Sequence, residues 1–401
     1  MTNPKLALIP SGYKTATVYS ILPNDATGDF DYERNGNATR VRKDGLIEEL
    51  TVDDTPRLDW LNSNCPSLLL EPQRTNLQAY SENFSGAAWT TSGATITANS
   101  SISPNGELTA TKLETTSQVG SLTGAIPSAV VNTLYYYSLF VKADATNIAR
   151  IELRDVQSGQ PDLTIGFVEF NMATETISGN NASFDKLDGG WYRLKFSATT
   201  PSSIGSIISI ISLTEVGSIF IWGAQMEAGG YATSYIKNVD DANGVTRLRD
   251  EIFAEDSNLF DITEGTFFVD ATPFKSGGGM EIQLSDGTAN NRHTIQYQGT
   301  GTSVRALTVT GGGTPVFSDY NPLTFDIRNK LAITFKKDEF KFYVNGSLVH
   351  TDTLGDVPTG LDKLTFSNPN LTSAFMEGKI HDIRVYDKVL TQTEAIQLTT
   401  I

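Results

Sequence analysis

The stretch LAITFKKDEFKFYVNGSLVHT, residues 331–351, decides the fold class of this chain. Apolar residues alternate along its first half, at Leu331, Ile333 and Phe335. This period of two predicts a strand with one buried face, because successive side chains of a strand point to opposite faces. A polar turn at 336–339 precedes a second alternating strand, and Asn345-Gly346 predicts a tight hairpin because both residues tolerate positive φ. The stretch therefore predicts consecutive antiparallel strands.

Short strands with turn signals between them also fill the middle of the chain. The predicted strands are Ala94–Ala98, Leu108–Leu113, Leu134–Lys142, Ala149–Leu153, Thr164–Asn171, Trp191–Ala198, Ser206–Leu213 and Ser218–Ala224. About eight strands at this spacing favour a sandwich or jelly roll. The clearest helix signal is a capping box at Thr391–Glu394, which opens a helix of about two turns.

The domain organisation follows from these patterns. The sequence predicts an all-β protein of two β-sandwich (jelly-roll) domains preceded by an irregular N-terminal arm. Residues 1–74 form the arm because Pro and Gly interrupt every short run. Residues 75–242 form a jelly roll, the polar residues 243–258 a linker, and 259–401 a second sandwich.

Composition and charge narrow the class of function. Lys plus Arg is 30 and Asp plus Glu is 46, giving a formal net charge of −16. A surface this acidic repels phosphate backbones and anionic lipids, so we expect no nucleic-acid binding and no membrane insertion. With one cysteine, Cys65, no intrachain disulfide can form. The first residues do not resemble a signal peptide, which predicts synthesis in the cytoplasm.

Two clusters of phrases carry a resemblance to a family. The first is SGYK at 11–14, ATRVRKDGLIEE at 38–49, PRLDW at 56–60 and LLLEPQRTNL at 68–77. The second is YSENFSGAAW at 80–89, GGWYRLKF at 189–196, IFIWGAQMEAGGYATSYI at 219–236 and VTR at 245–247. In this order the phrases resemble bacteriophage virion proteins described as tail or head-fibre components. The resemblance implies a carbohydrate-binding-like jelly roll in the middle block.

A third cluster is KFYVNGSLV at 341–349 with GKIHDIRVYDKVLTQTEAIQL at 378–398. It resembles the closing part of a concanavalin A-like, laminin-G-type sandwich. A motif of this kind predicts a fold and says little about a ligand.

The resemblance implies a fibre or spike subunit that attaches to host cell-surface glycans and is exposed on the surface of the virion. The arm would contact other virion proteins, and a homotrimer is expected from the family and from the need to close the assembly. One alternative is a capsid decoration protein that binds no glycan. A less favoured alternative is a polysaccharide-degrading tail spike.

Catalytic and cofactor motifs are missing from the sequence. The histidines His293, His350 and His381 lie far apart, and no metal-ligand spacing, phosphate loop or nucleophile elbow occurs. The sequence therefore predicts a protein that is not an enzyme and needs no cofactor, with structural calcium as the one open alternative. Candidate calcium ligands are Glu71, Asn76 and Glu227, near the predicted first and last jelly-roll strands. They could equally be ordinary polar edge residues.

Glycan recognition needs aromatic faces and planar polar partners. In the middle block the candidates are Trp89, Tyr135 and Tyr136. Trp191 and Trp222 have apolar neighbours and are predicted to be core residues. In the last block the candidates lie in the loop SDGTANNRHT, and are Asp286, Asn290, Asn291, Arg292 and His293. A solvated hairpin tip is the alternative interpretation of this loop.

Overall fold

The computed structural model describes residues 3–117, 120–274 and 277–401. Strands account for 48% of the structure and helices for 4%, which confirms the predicted all-β class. The strands of the first segment are β1 Leu6–Leu8, β2 Tyr13–Lys14, β3 Thr17–Val18, β4 Phe30–Glu33, β5 Ala38–Val41, β6 Ile47–Leu50, β7 Leu58–Asp59, β8 Ser67–Leu70 and β9 Arg74–Asn76.

The middle segment forms a jelly roll of two six-stranded antiparallel sheets. Its strands are β10 Trp89–Ser92, β11 Ala94–Ser101, β12 Ala110–Thr115, β13 Ser121–Ile126, β14 Leu134–Ala143, β15 Ile148–Val156, β16 Leu163–Asn171, β17 Thr176–Gly179, β18 Ser183–Leu187, β19 Trp191–Thr199, β20 Ser206–Ser212 and β21 Gly217–Ala228. One sheet has the order β10-β13-β20-β15-β16-β17 and the other β11-β12-β21-β14-β19-β18. A 3-10 turn, Asp188–Gly190, precedes β19.

The last segment supplies the remaining strands and both α-helices. The strands are β22 Val245–Arg247, β23 Glu251–Glu255, β24 Gly265–Pro273, β25 Met280–Ser285, β26 Arg292–Tyr297, β27 Val304–Val309, β28 Val316–Tyr320, β29 Asn329–Lys336, β30 Glu339–Val344, β31 Ser347–Asp352, β32 Lys363–Thr365 and β33 Gly378–Tyr386. The helices are α1 Ser257–Phe260 and α2 Gln392–Thr399. None of the helices described is long and apolar enough to cross a membrane.

Strands from the two ends of the chain share two large sheets. The eight-stranded sheet has the order β31-β30-β29-β24-β33-β8-β7, with β1 also paired to β33. The nine-stranded sheet has the order β2-β3-β4-β23-β32-β25-β26-β27-β28. Leu8 lies opposite Ile383, and Leu68 lies opposite Ile380. We call this body, formed by residues 3–76 and 245–401, the split sandwich.

The jelly roll is therefore inserted into the split sandwich. The chain leaves through β9 and returns through β22, and these two strands pair antiparallel with Asn76 opposite Val245. We call the residues between them, 77–244, the inserted jelly roll.

This connectivity differs from the predicted arm and linker. Residues 1–74 were predicted to form an irregular arm, but β1, β7 and β8 belong to one large sheet and β2, β3 and β4 to the other. The predicted linker contains β22 and β23, and β23 pairs with both β4 and β32. The physical reason is that short strands interrupted by Pro and Gly gain their hydrogen bonds and burial from partners far along the chain.

Each body has its own apolar core. The core of the split sandwich combines Leu6, Phe30 and Leu70 of the first segment with Phe267 and Ile383 of the last. Burying one such side chain stabilises a fold by about 1.5–3 kcal/mol, so the first segment contributes a substantial part of this core. The inserted jelly roll has a separate core between its two six-stranded sheets.

The hairpin at 331–351 forms as predicted. β29 pairs with β30 and β30 with β31, and the alternating apolar residues of the first two strands are buried. Asn345 and Gly346 have φ of 47° and 80°, the left-handed conformation that their turn requires. The capping box of α2 is also present, with Thr391 and Glu394 capping each other.

Candidate functional site

Four buried charged residues join the two ends of the split sandwich. Arg57 and Arg247 donate to the same carboxylate oxygen of Glu71, at 2.6 and 2.7 Å. Arg57 Nε also donates to Asp250 at 3.1 Å, and Asp250 accepts the backbone N–H of Glu71 at 2.8 Å. We call Arg57, Glu71, Arg247 and Asp250 the junction network. All four side chains are at most 3% exposed, so each charge depends on its partners.

The junction network keeps Glu71 ionised. Burial alone would raise the pKa of its carboxyl group, but the charges of Arg247 and Arg57 and a hydrogen bond from Ser234 lower this pKa from 4.5 to about 2. A carboxyl group whose pKa is depressed by folding stabilises the folded state above its unfolded pKa. The contribution of Glu71 is therefore complete near neutral pH and is lost as the pH falls from about 4.5 towards 2.

The network reaches the inserted jelly roll through one turn. Ser234 donates its backbone N–H to Glu71 at 2.8 Å. The preceding residue, Thr233, donates its backbone N–H and hydroxyl group to Glu227 at 2.8 and 2.6 Å. Burial is the main reason why the pKa of Glu227 is raised. The two bodies are thus connected by buried hydrogen bonds next to the β9/β22 pair.

The predicted calcium ligands do not form a cation site. Both oxygen atoms of Glu71 accept hydrogen bonds, from arginine and serine donors, and both oxygen atoms of Glu227 accept bonds from Thr233. Asn76 donates to two backbone carbonyls and accepts two backbone N–H groups. Two guanidinium groups beside Glu71 would repel Ca²⁺, so the residues do not fit this ion. Within residues 3–117, 120–274 and 277–401, no three His, Cys, Asp or Glu side chains are grouped as metal ligands.

A cleft of about 1070 Å³ lies between the inserted jelly roll and the split sandwich. One wall is the outer face of the jelly-roll sheet that contains β14, β18 and β19. The opposite wall consists of β33 and the loop at 326–328, and the first segment closes the side through residues 59–71. All three parts of the chain therefore contribute to this cleft.

Aromatic rings line both sides of the cleft. Tyr136 projects from β14 and is half-buried. Burial, together with the charge of Asp326 on the opposite wall, raises the pKa of Tyr136. Tyr231 of the jelly roll packs against Phe274 of the split sandwich with ring centroids 5.1 Å apart. The cleft thus presents apolar faces beside polar groups.

The polar groups of the cleft are held in fixed positions by ion pairs. Lys195 of β19 donates to Asp185 of β18 at 2.8 Å. Lys379 of β33 donates to Asp59 of β7 at 2.7 Å. Burial would raise the pKa of Asp185, but the charge and hydrogen bond of Lys195 lower it, so this carboxylate is ionised at neutral pH. The first pair joins two neighbouring strands, and the second joins two strands of the eight-stranded sheet. The protein itself therefore holds these side chains in place.

His381 lies in the same cleft and is uncharged at neutral pH. Burial lowers the pKa of this side chain to about 4, and the nearby Asp270 only partly offsets that effect. Its Nε2 atom is 3.0 Å from the hydroxyl oxygen of Thr272. It therefore offers a neutral donor and acceptor.

The structure places one of the three predicted aromatic glycan residues in the cleft. Tyr136 lines it, whereas Trp89 and Tyr135 are 6% and 2% exposed and belong to the core of the jelly roll. This corrects the prediction for Trp89 and Tyr135, because a ring in the core presents no face to a ligand. The prediction that Trp191 and Trp222 are buried is confirmed.

The predicted polar loop of the last block lies outside the cleft and is mostly bonded to itself. Asp286 accepts the backbone N–H of Thr288 and the side-chain amide of Asn291, both at 2.8 Å, and Asn290 is exposed at the tip. Arg292 is half-buried, 3.9 Å from Glu281. A role of these four residues in glycan binding stays a prediction.

His293 is a correction. It is 0% exposed, its ring stacks on Phe335 at 3.8 Å, and its Nδ1 atom is 2.8 Å from the hydroxyl oxygen of Thr308. Burial lowers the pKa of His293 to about 3, so it is a neutral core residue. The alternation of β26 turns this side chain inward.

Sequence reasoning missed the residues that bring the cleft together. Asp185 lies outside the quoted phrases. Lys195 and Lys379 lie within GGWYRLKF and GKIHDIRVYDKVLTQTEAIQL, but those phrases indicated a fold and gave neither lysine a role. The phrases PRLDW, LLLEP and VTR contain Arg57, Glu71 and Arg247 of the junction network. These three short charged phrases lie on either side of the predicted middle domain, and they were the sequence signal that could have indicated the network.

The fold defines an all-β protein of the jelly-roll and concanavalin A-like type, with one sandwich inserted into another. Residues 259–395 match a laminin-G-type family model described as the concanavalin A-like lectin/glucanases superfamily. The match spans about a third of the chain and lies within the split sandwich. A search of curated proteins finds no match.

Several solved structures resemble parts of the chain. The CBM40 module of a Ruminococcus gnavus IT-sialidase, bound to α2,3-sialyllactose, has 19% identity and a TM-score of 0.32 and covers 36% of this chain and 86% of its own. Domain 4 of AbnA, a GH43 extracellular arabinanase of Geobacillus stearothermophilus in complex with arabinotriose, has 17% identity and a TM-score of 0.31, covering 43% and 82%. CBM22-1-GH10 modules of a Clostridium thermocellum xylanase with xylohexaose have 15% identity and a TM-score of 0.27, covering 42% and 30%. Similarity at this level does not identify a ligand.

Proposed function

We propose that this chain is a carbohydrate-binding protein and that its ligand occupies the cleft between the inserted jelly roll and the split sandwich. The observation that carries the proposal is the convergence of aromatic rings and fixed polar groups in a cleft of about 1070 Å³. Ligand sites are concave, have volumes of roughly 300–1,000 Å³, and combine apolar walls with a few placed polar groups.

The chemistry of the walls suits a sugar. Saccharide rings have apolar C–H faces that pack on aromatic rings, and hydroxyl groups that need both donors and acceptors. Tyr136 offers a ring face at the surface of the cleft. Asp185 and Lys195 offer an acceptor and a donor on the same wall, and His381 offers both on the opposite wall.

The family model over residues 259–395 also supports this class of function, because its description includes lectins. That description includes glucanases as well, so a hydrolytic role is the competing proposal. Glycoside hydrolysis generally requires a carboxylic acid that is protonated near neutral pH and a second carboxylate. In the cleft, Asp185 is held ionised by Lys195, and Asp59 is paired with Lys379. Burial raises the pKa of the Asp382 carboxyl group, but both of its oxygen atoms accept from Arg384, at 3.0 and 2.9 Å, so it is engaged in an ion pair. We therefore infer binding without hydrolysis.

Replacing Tyr136 by alanine is expected to weaken glycan binding. The change removes the exposed ring and should cost about 1–2 kcal/mol of binding free energy, or roughly tenfold in Kd. The measurement is titration calorimetry with the glycan that binds the wild-type protein most tightly on a glycan array.

Phe317→Ala is the matched control, because Phe317 is 51% exposed and lies on β28, outside the cleft. It should leave the Kd unchanged. An unaltered affinity in Tyr136→Ala, or no binding of the wild type to any glycan, would remove the support for this site.

We further propose, on the resemblance described for residues 1–250, that the protein is a bacteriophage fibre or spike subunit that contacts a host surface glycan. A homotrimer would repeat a weak site and raise avidity. The capsid decoration role without glycan binding is the alternative. Mass spectrometry of purified virus particles, followed by light scattering of the isolated protein, tests the location and the trimer. Absence of the protein from the particles would refute the virion role and leave carbohydrate binding intact.

A further inference from the structure

The cleft between the two bodies contains as many positive as negative side chains. Five lining side chains are basic, namely Arg40, Arg193, Lys195, Arg328 and Lys379. Five are acidic, namely Asp59, Glu71, Asp185, Asp326 and Asp382. The whole chain carries 46 acidic and only 30 basic residues, so the cleft is more nearly neutral than the protein as a whole.

The two lysines are already bound to carboxylates. Lys195 donates to Asp185 at 2.8 Å, and Lys379 donates to Asp59 at 2.7 Å and to the carbonyl of Leu61 at 3.0 Å. Each ammonium group keeps at least one further N–H donor, but a ligand anion bound there would lie beside the carboxylate partner. Two anions sharing one cation repel each other, which is unfavourable.

The three arginines are also occupied. Arg328 forms two parallel bonds to Asp270, at 2.7 and 2.6 Å. Arg40 donates to Glu48 at 2.8 Å and to the hydroxyl of Tyr13 at 2.8 Å.

Arg193 is buried and donates to two uncharged groups, the carbonyl of Thr233 at 2.7 Å and the hydroxyl of Ser138 at 2.9 Å. Its Nε atom has no partner, but it is buried out of reach of a ligand in the cleft. Each lining cation in the described part of the chain therefore has protein partners at hydrogen-bond distance.

The net charge of the whole protein also disfavours acidic ligands. A formal net charge of −16 repels polyanions before they reach the surface. Acidic polysaccharides would have to overcome this repulsion and would then find every cation that lines the cleft already bonded to protein groups. A neutral saccharide needs only hydrogen bonds and ring contacts. The existing ion pairs provide the first and Tyr136 provides the second, without rearrangement.

We propose that the ligand of the cleft is a neutral oligosaccharide, and that glycans rich in uronic or sialic acid are rejected. This inference rests on the proposed carbohydrate-binding function and names its ligand class. The rejection is electrostatic, so its strength depends on the pairing of Lys195 with Asp185 and of Lys379 with Asp59.

The test compares hexasaccharides of equal length by calorimetry at low salt. Neutral probes are cellohexaose, xylohexaose and mannohexaose, and acidic probes are hexagalacturonate and hexamannuronate. At least one neutral probe is expected to bind about tenfold or more tightly than either acidic probe. Tighter binding of an acidic probe would overturn the ligand class while leaving the proposed function intact. Absence of binding by all five probes would overturn the ligand class, and the proposed function would then depend on the separate glycan array.

The variant Asp185→Asn tests the physical cause. It keeps the shape of the side chain and removes the charge that neutralises Lys195. We expect the acidic hexasaccharides to gain affinity in this variant, and we expect added salt to reduce the gain because salt screens exposed charges. Asp319→Asn is the matched control, because Asp319 pairs with Arg305 on an exposed surface outside the cleft and should leave the preference unchanged. No gain in Asp185→Asn would contradict the electrostatic explanation.

Discussion

Residues 259–401 expressed alone are expected to remain unfolded, even though they include the whole region matched by the family model. The fragment lacks β1, β7 and β8 of one large sheet and β2, β3, β4 and β23 of the other. It would expose the edge of β33 and the apolar side chains that Leu6, Phe30 and Leu70 cover in the complete core. Circular dichroism and two-dimensional NMR of the fragment would show poor dispersion and no cooperative melting.

The matched control removes the inserted jelly roll and keeps the split sandwich. Because Asn76 lies opposite Val245, a two-residue Asn-Gly turn can join β9 directly to β22. This shortened chain retains all four residues of the junction network and is expected to fold and melt cooperatively. Cooperative folding of 259–401 alone would contradict the split sandwich, whether or not the shortened chain folds.

Arg57→Ala is expected to destabilise the protein by about 3–5 kcal/mol. The change leaves Glu71 with one guanidinium partner instead of two, and it removes the hydrogen-bonded cation of Asp250, leaving only Arg34 at 3.4 Å. Both carboxylates are buried, so neither can recover its lost partner from bulk water. Urea unfolding followed by tryptophan fluorescence measures the free energy of unfolding.

Arg305→Ala is the control for this prediction. Arg305 forms two bonds to Asp319, at 2.6 and 2.8 Å, but both side chains are more than a third exposed. Solvent weakens such a pair, so the variant should lose at most about 1 kcal/mol. Similar losses in the two variants would mean that the junction network contributes no more than a surface pair.

The local part of the fold could be predicted from sequence, and the long-range part could not. The hairpin around Asn345-Gly346 and the capping box of α2 depend on neighbouring residues, and both form as predicted. The pairing of Leu8 with Ile383 joins the two ends of the chain, and no period or turn signal encodes it. The split sandwich was therefore predicted as an arm and a separate domain.

For the candidate site, too, the sequence predicted local features and missed the contacts between distant parts of the chain. Tyr135 shares one face of β14 with Leu139 and Val141 and is buried in the jelly-roll core, whereas Tyr136 lies on the other face, so only one of these two predicted glycan residues is available to a ligand. Of the three aromatic residues predicted to bind glycan, Tyr136 is the one that lines the cleft. Lys379 and Asp59 meet there only because β7, β8 and β33 share a sheet. Such a pair becomes visible once the topology is known.

A crystal structure of the full chain with the tightest-binding neutral hexasaccharide bound tests the central claim most directly. Sugar rings are expected in the cleft between the inserted jelly roll and the split sandwich, with one ring on Tyr136 and hydroxyl groups bonded to Asp185, Lys195 or His381. Sugar density at the loop 286–292 or on the other jelly-roll sheet, with none in the cleft, would contradict it.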